Sequence, residues 1–138
     1  MKTPAGYSGK AISAKLGIIE GTTVVGVDAP KHYPSLVAPL PLGARITTRM
    51  PKHPEFVHVF TISRAALAKQ LGKLRGSLTQ AGVVWVSWPK KTSGVATDIT
   101  EDTIREVALP IGFVDVKVCA VDETWSGLKL VIRKELRS

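Results

Sequence analysis

Two segments of this 138-residue sequence concentrate the side chains that could do chemistry. The first is Trp88-Pro89-Lys90-Lys91-Thr92-Ser93-Gly94, which sets two ammonium groups beside two hydroxyls and a glycine. Such a run has the elements of an anion cradle, because glycine frees backbone N–H groups to point at an oxyanion. A solvated basic turn, with Ser93 and Gly94 serving only loop geometry, is the competing reading. The second segment is Asp122-Glu123-Thr124-Trp125-Ser126. Asp122 and Glu123 are the candidate catalytic pair, one carboxyl as acid and the other as base. Adjacent residues of a strand point to opposite faces, so the pair cooperates only if a turn reorients one of them. Capping that turn is the competing role. Trp88, at a strand end, and Trp125, in a turn, could stack on a planar ligand or cover the end of a sheet, whereas Trp85 reads as core.

Other reactive types lack a constellation. His32, His53 and His58 show no metal-ligand spacing, and His58 lies inside an apolar run where a structural histidine is expected. Cys119 has no histidine close in sequence and sits in a strand, so a buried thiol is expected rather than a nucleophile. Ser87 and Ser126 lack the strand-turn-helix setting of a nucleophilic serine, and the glycine spacing of a nucleotide-hydrolase phosphate loop is absent. No metal and no complete catalytic set is expected.

Composition bounds the classes. With 44% hydrophobic and 22% charged residues the chain can build a core, and its length suits one domain over residues 1–138. A single cysteine excludes an internal disulfide framework and fits a reducing cytosol, so a cytoplasmic location is expected. No apolar run approaches the roughly 18 residues of a membrane span, and Met1–Lys10 has no signal-peptide core. The net charge of +8 raises the question of an anionic partner, with solvated surface charge as the competing reading. Four cations (Lys31, Arg45, Arg49, Lys52) and no acid lie in residues 29–54, which also hold six of the nine prolines. That stretch reads as an exposed basic link with one short strand. A second basic run, Lys129, Arg133, Lys134 and Arg137, closes the chain. Together the two could bind nucleic acid without sequence preference, though exposed aromatics are not interleaved with them.

The elements that must position these residues follow from periodicity. Residues 1–20 read as an N-terminal helical segment, capped by Ser8 and stopped by Gly17. Strands are expected at 22–28, 44–49 (near an edge), 56–62, 83–88, 113–121 and 128–133. In the fifth, Val114, Val116, Val118 and Ala120 alternate with Phe113, Asp115, Lys117 and Cys119, and a tight Trp125-Ser126-Gly127 turn leads to the sixth. Ser63 should cap a long helix with a Leu67, Leu71, Leu74, Leu78 stripe, in which Gly72 and Gly76 would allow close approach to a sheet. A second helix should start at an Asp98–Glu101 capping box or at Thr100, and bury Ile104, Val107, Ala108 and Ile111. Alternating strands and helices imply a parallel α/β sheet, and the short final connection makes the last strand antiparallel.

This pattern resembles the Rossmann-like methyltransferase fold, which implies a shortened three-layer domain with strand order 2-1-3-4-6-5. In that fold, S-adenosylmethionine enzymes share a glycine-rich turn after the first strand and a carboxylate at the end of the second, for the ribose hydroxyls. Here the turn reads Val27-Asp28-Ala29-Pro30-Lys31 and the strand end Thr47-Thr48-Arg49. No cofactor is therefore expected, S-adenosylmethionine included. At closer range nearly the whole chain resembles an uncharacterised bacterial family of unknown function, through Gly6-Tyr7-Ser8-Gly9, Trp88-Pro89-Lys90-Lys91 with Ser93-Gly94, Asp98 through Arg105, and Val118 through Lys129.

Ligands of parallel α/β sheets bind outside the carboxyl ends of the strands. The loops at 28–30, 61–64, 88–94 and 122–126 should converge there. The expectation is a non-catalytic module that binds a small anionic ligand or an acidic protein segment at Lys90, Lys91, Ser93, Gly94, Trp88, Trp125 and Ser126. The alternatives are a small enzyme or degenerate methyltransferase-like transferase on the same edge, and nucleic-acid binding through the basic surface.

Overall fold

The computed structural model describes residues 11–138. Ser8 and the Gly6–Gly9 run lie outside the described residues. Six strands form one sheet: β1 (Thr23–Val27), β2 (Arg45–Thr47), β3 (Phe56–Phe60), β4 (Val83–Pro89), β5 (Phe113–Ala120) and β6 (Trp125–Ile132). Their order is β2-β1-β3-β4-β6-β5, with β1 to β4 parallel and β6 antiparallel to both neighbours. This is the α/β architecture and strand order that the resemblance implies.

Strand residues alternate between two cores. On one face Val84, Val86 and Trp88 of β4 meet Leu67, Leu71 and Leu74 of α3 (Arg64–Ser77) and Ile104 and Ala108 of α4 (Glu101–Ala108). On the other, Phe56, Phe60 and Trp85 meet α1 (Ile12–Leu16) and α2 (Tyr33–Val37). The short helix α2 lies within the stretch expected to hold only a short strand. Proline at its second position is tolerated there, because that N–H has no helical partner. All five residues of β3 are buried, as covering on both faces requires.

The two longer helices start at side-chain caps. Ser63 accepts a bond from Ala66 N at 3.2 Å and Thr100 one from Thr103 N at 3.2 Å. Asp98 is not part of a capping box: its Oδ1 accepts from Arg64 N at 2.7 Å, so it satisfies an orphan donor of α3. Gly72 and Gly76 do not approach the sheet, since a Cβ on either would meet open space. Ile111 leaves the buried stripe of α4, because a 3₁₀ turn at Leu109–Ile111 rotates it outward to 37% exposure.

The largest departure from the expected pattern is in β5. Its pairing with β6 slips between Asp115 and Lys117, a bulge at Val116 that reverses the alternation beyond it. Before the bulge Phe113 is buried; after it Cys119 is, while Val116 and Val118 stand 52% and 48% exposed on this edge strand. Trp125, Ser126 and Gly127 are not a turn but the start of β6, and the turn is 121–124. Gly127 lies in close approach: a Cβ there would stand 3.1 Å from Val121 Cγ2 and 3.2 Å from the Trp85 ring, so a neighbour would have to give by a few tenths of an ångström.

Candidate functional site

β1, β3 and β4 end, and β6 begins, on one edge of the sheet. Register places Pro89 opposite Trp125 and Trp88 opposite Ser126, and Lys90 N donates to Thr124 O at 2.8 Å. The two distinctive segments are therefore neighbours. Their polar groups, however, are occupied locally. Asp122 Oδ1 accepts from Thr124 N at 2.8 Å and Trp125 N at 2.7 Å, and its Oδ2 lies 3.2 Å from His32 Nε2. This is an Asx turn tied to the β1–α2 loop. Glu123 is exposed and shares no hydrogen bond with Asp122 among those of the described residues, so the two are not arranged as an acid/base pair.

The Lys91–Ser93 segment is a 3₁₀ turn ended by Gly94, at φ 76°. Ser93 Oγ donates to Lys90 O at 2.6 Å and accepts from Val95 N at 3.2 Å, while Gly94 N donates to Lys91 O at 3.3 Å. The Ser93 hydroxyl and N–H groups that would have lined a cradle thus hold the turn itself. What the segment offers outward is the ammonium groups of half-buried Lys90 and exposed Lys91 and the hydroxyl of exposed Thr92. Trp88 is only 8% exposed and belongs to the α3–α4 core; Trp125, on the opposite face, packs edge-on against Phe60 with centroids 5.0 Å apart. The two indoles do not share a face. Trp88, Lys91, Thr97, Thr100 and Glu101 line a small cleft of about 330 Å³.

A larger cleft, of about 660 Å³, opens at the carboxyl ends of β1 and β2. Its floor and walls are Val27, Ala29, Pro30, Ile46 and Met50, with Asp28, Lys31, Thr48 and Gln70 as the polar side chains. It lies beside the reversal of strand order between β1 and β3, where open α/β sheets bind ligands. The sequence marks the loop after β1 and, through the resemblance, Thr48 at the end of β2, but not Ile46, Met50 and Gln70, which come from separate segments and form no motif. The signal that pointed here was the loop's place after the first strand.

Behind the cleft lies a buried polar chain. Tyr33 Oη is 2.8 Å from His58 Nδ1, and His58 Nε2 is 2.7 Å from Ser87 Oγ. All three residues are buried, and His58 stacks on Phe60 with centroids 4.3 Å apart. Burial lowers the His58 pKa to about 3, so the imidazole is neutral, and raises that of the Tyr33 phenol. With its hydroxyl committed to His58, Tyr33 lines the cleft as a wall. Burial also raises the Cys119 pKa, against the opposing charges of Lys15 and Lys117, which leaves an inert thiol. Among the described residues, no cluster of His, Cys, Asp and Glu could hold a metal ion, and no helix is long and apolar enough to cross a membrane.

The two basic runs do not merge. Arg45, Arg49 and Lys52 are exposed on and after β2, an edge strand, whereas Arg133, Lys134 and Arg137 follow β6, from which β2 is separated by β1, β3 and β4.

The cleft occupies the place where the resemblance would put S-adenosylmethionine, and its residues do not fit that cofactor's ordinary seat. Pro30 has no N–H to offer, Asp28 takes the left-handed turn position (φ 55°) at which glycine would leave room, and Thr48 stands where a ribose-binding carboxylate would.

No family model and no curated protein matches the chain. Solved structures do. A tRNA methyltransferase of B. subtilis, TrmK, superposes with a TM-score of 0.60 at 12% identity over 95% of this chain and 67% of its own. The Methanococcus jannaschii fibrillarin pre-rRNA processing protein gives 0.57 at 9% identity, over 83% and 68%. The magnesium protoporphyrin IX methyltransferase of Synechocystis, with bound SAM, gives 0.54 at 10%, over 88% and 74%. The chain spans about half of others, such as the pyocyanin biosynthetic protein PhzM, at 53%. At these identities the likeness is one of fold: the chain has a Rossmann-like, methyltransferase-type fold.

Proposed function

We propose that this chain is a ligand-binding module that uses the carboxyl edge of a methyltransferase-type sheet without catalysing methyl transfer. The supporting observation is the cleft of about 660 Å³ beside the strand-order reversal, with an apolar floor and few polar groups. The ligand sits there rather than on the Lys90–Gly94 turn, where the Ser93 hydroxyl and the Ser93 and Gly94 N–H groups hold the turn itself. Catalysis is not part of the reading because nothing in the cleft pairs a nucleophile with an oriented base. Its one carboxylate, Asp28, is exposed, and the Tyr33 hydroxyl turns inward to His58.

A thermal-shift screen of the full chain against organic anions, nucleotides and S-adenosylmethionine tests this, because a ligand that binds only the folded state raises apparent stability. The expected hits lose their shift in Thr48→Trp, which fills the cleft from an exposed position. Hits that persist in Thr48→Trp, or methyl transfer from S-adenosylmethionine to any acceptor, would overturn the reading.

A further inference from the structure

The charge and donor pattern around this cleft narrow its ligand class. Resting on the reading above, we infer that the cleft holds a small organic anion with a flat or aliphatic body and no ribose diol, its charged head met by Lys31. Three observations carry this. First, the outer wall is built from residues 29–34 and 46–50, which carry Lys31 and Arg49; Asp28, which precedes them, is the one acid of the lining. Lys31 itself lines the cleft, and Arg49 stands between the lining residues Thr48 and Met50. The ammonium group of Lys31 at an apolar cleft offers a charge partner to an anionic head group. Second, the polar inventory is short. Thr48 supplies one hydroxyl, Gln70 one amide and Asp28 one carboxylate, and the end of β2 has no carboxylate to accept both hydroxyls of a ribose. Third, Val27, Ala29, Pro30, Ile46 and Met50 give the body of the ligand an apolar seat. His32, next to Lys31, is held by Asp122, so the loop that bears the ammonium group is tied to the β5–β6 turn.

The anion could be a phosphate ester or a carboxylate, so both are probed. Calorimetric titration of the full chain would compare 1-naphthyl phosphate, 1-naphthoate, neutral 1-naphthol, adenosine 5′-monophosphate and S-adenosylmethionine. One or both naphthyl anions should bind at least about tenfold more tightly than naphthol. That affinity should fall by about tenfold in Lys31→Gln, fall as salt rises, and vanish in Thr48→Trp. The stronger of the two anions identifies the head group. If naphthol binds as well as the anions and Lys31→Gln changes nothing, the anion inference fails. Loss of that binding in Thr48→Trp would still leave the cleft as the site. Binding that survives Thr48→Trp, or absence of binding by every probe, overturns both. Tighter binding of the monophosphate or of S-adenosylmethionine than of the naphthyl anions overturns the exclusion of a ribose diol.

Discussion

His58 shows how a polar side chain can be held entirely inside this fold. It sits in the middle of a fully buried strand, bridges the hydroxyls of Tyr33 and Ser87, and remains neutral because burial lowers its pKa to about 3. An unfolded chain would protonate the same imidazole at its ordinary value near 6.5. The contribution is therefore complete above that value, declines as pH falls, and is exhausted near pH 3. By linkage this one residue should cost about 2 kcal/mol of stability at pH 5 relative to pH 7.5. Urea unfolding at the two pH values measures it. In His58→Gln that part of the pH dependence should vanish, while stability at pH 7.5 drops by about 1–3 kcal/mol through strained or lost bonds to Tyr33 and Ser87. An unchanged acid dependence in the variant would assign the effect elsewhere. The sequence placed His58 correctly as a structural histidine, since an apolar run surrounds it. Its partners were not legible, because Tyr33 and Ser87 lie 25 and 29 residues away.

Secondary-structure elements show where period and cap signals suffice and where they fail. The Ser63 cap and leucine stripe of α3 are local, and both appear in the fold. Gly72 and Gly76 lie on the outer face with open space at Cβ, so each lowers helix propensity without a packing return. Replacing either by alanine should stabilise the protein by about 0.5–1 kcal/mol, read from the shift in urea midpoint at unchanged m-value. Thr100→Ala should destabilise by about 1 kcal/mol through loss of the α4 cap. Asp98→Ala should cost a similar amount, although it lies outside the helix it serves, because it leaves Arg64 N without its carboxylate. In β5 the alternation of valines runs unbroken through the sequence, yet one bulged residue moves the set of Phe113 and Cys119 from the α3–α4 core to the α1–α2 core. Nothing in a period-2 pattern marks such a slip. It is set by pairing with β6 and by the Arg105–Asp115 contact at 2.9 Å, which ties β5 to α4.

At the scale of the whole molecule, the strand order was legible because long apolar runs alternate with one strong helical stripe and end in a short final connection. Convergence of the Lys90 and Trp125 segments was legible for the same reason: both leave or enter strands at one edge. That Ser93 and Asp122 would bond within their own turns was not, since those bonds depend on backbone geometry at Lys90, Ser93 and Asp122. Nor was the cleft, whose lining unites the loop after β1, the end of β2 and one glutamine of α3. In the proposed reading, a methyltransferase-type sheet carries a cleft without residues suited to S-adenosylmethionine. Backbone amide mapping by two-dimensional NMR, with 1-naphthyl phosphate and then S-adenosylmethionine titrated into the full chain, tests it most directly. The naphthyl anion should move the amides of Asp28, Ala29, Lys31, Thr48, Met50 and Gln70 saturably, and S-adenosylmethionine should leave them in place. Saturable shifts at those residues with S-adenosylmethionine, or shifts confined to Lys90–Gly94 and Trp125–Ser126, would contradict it.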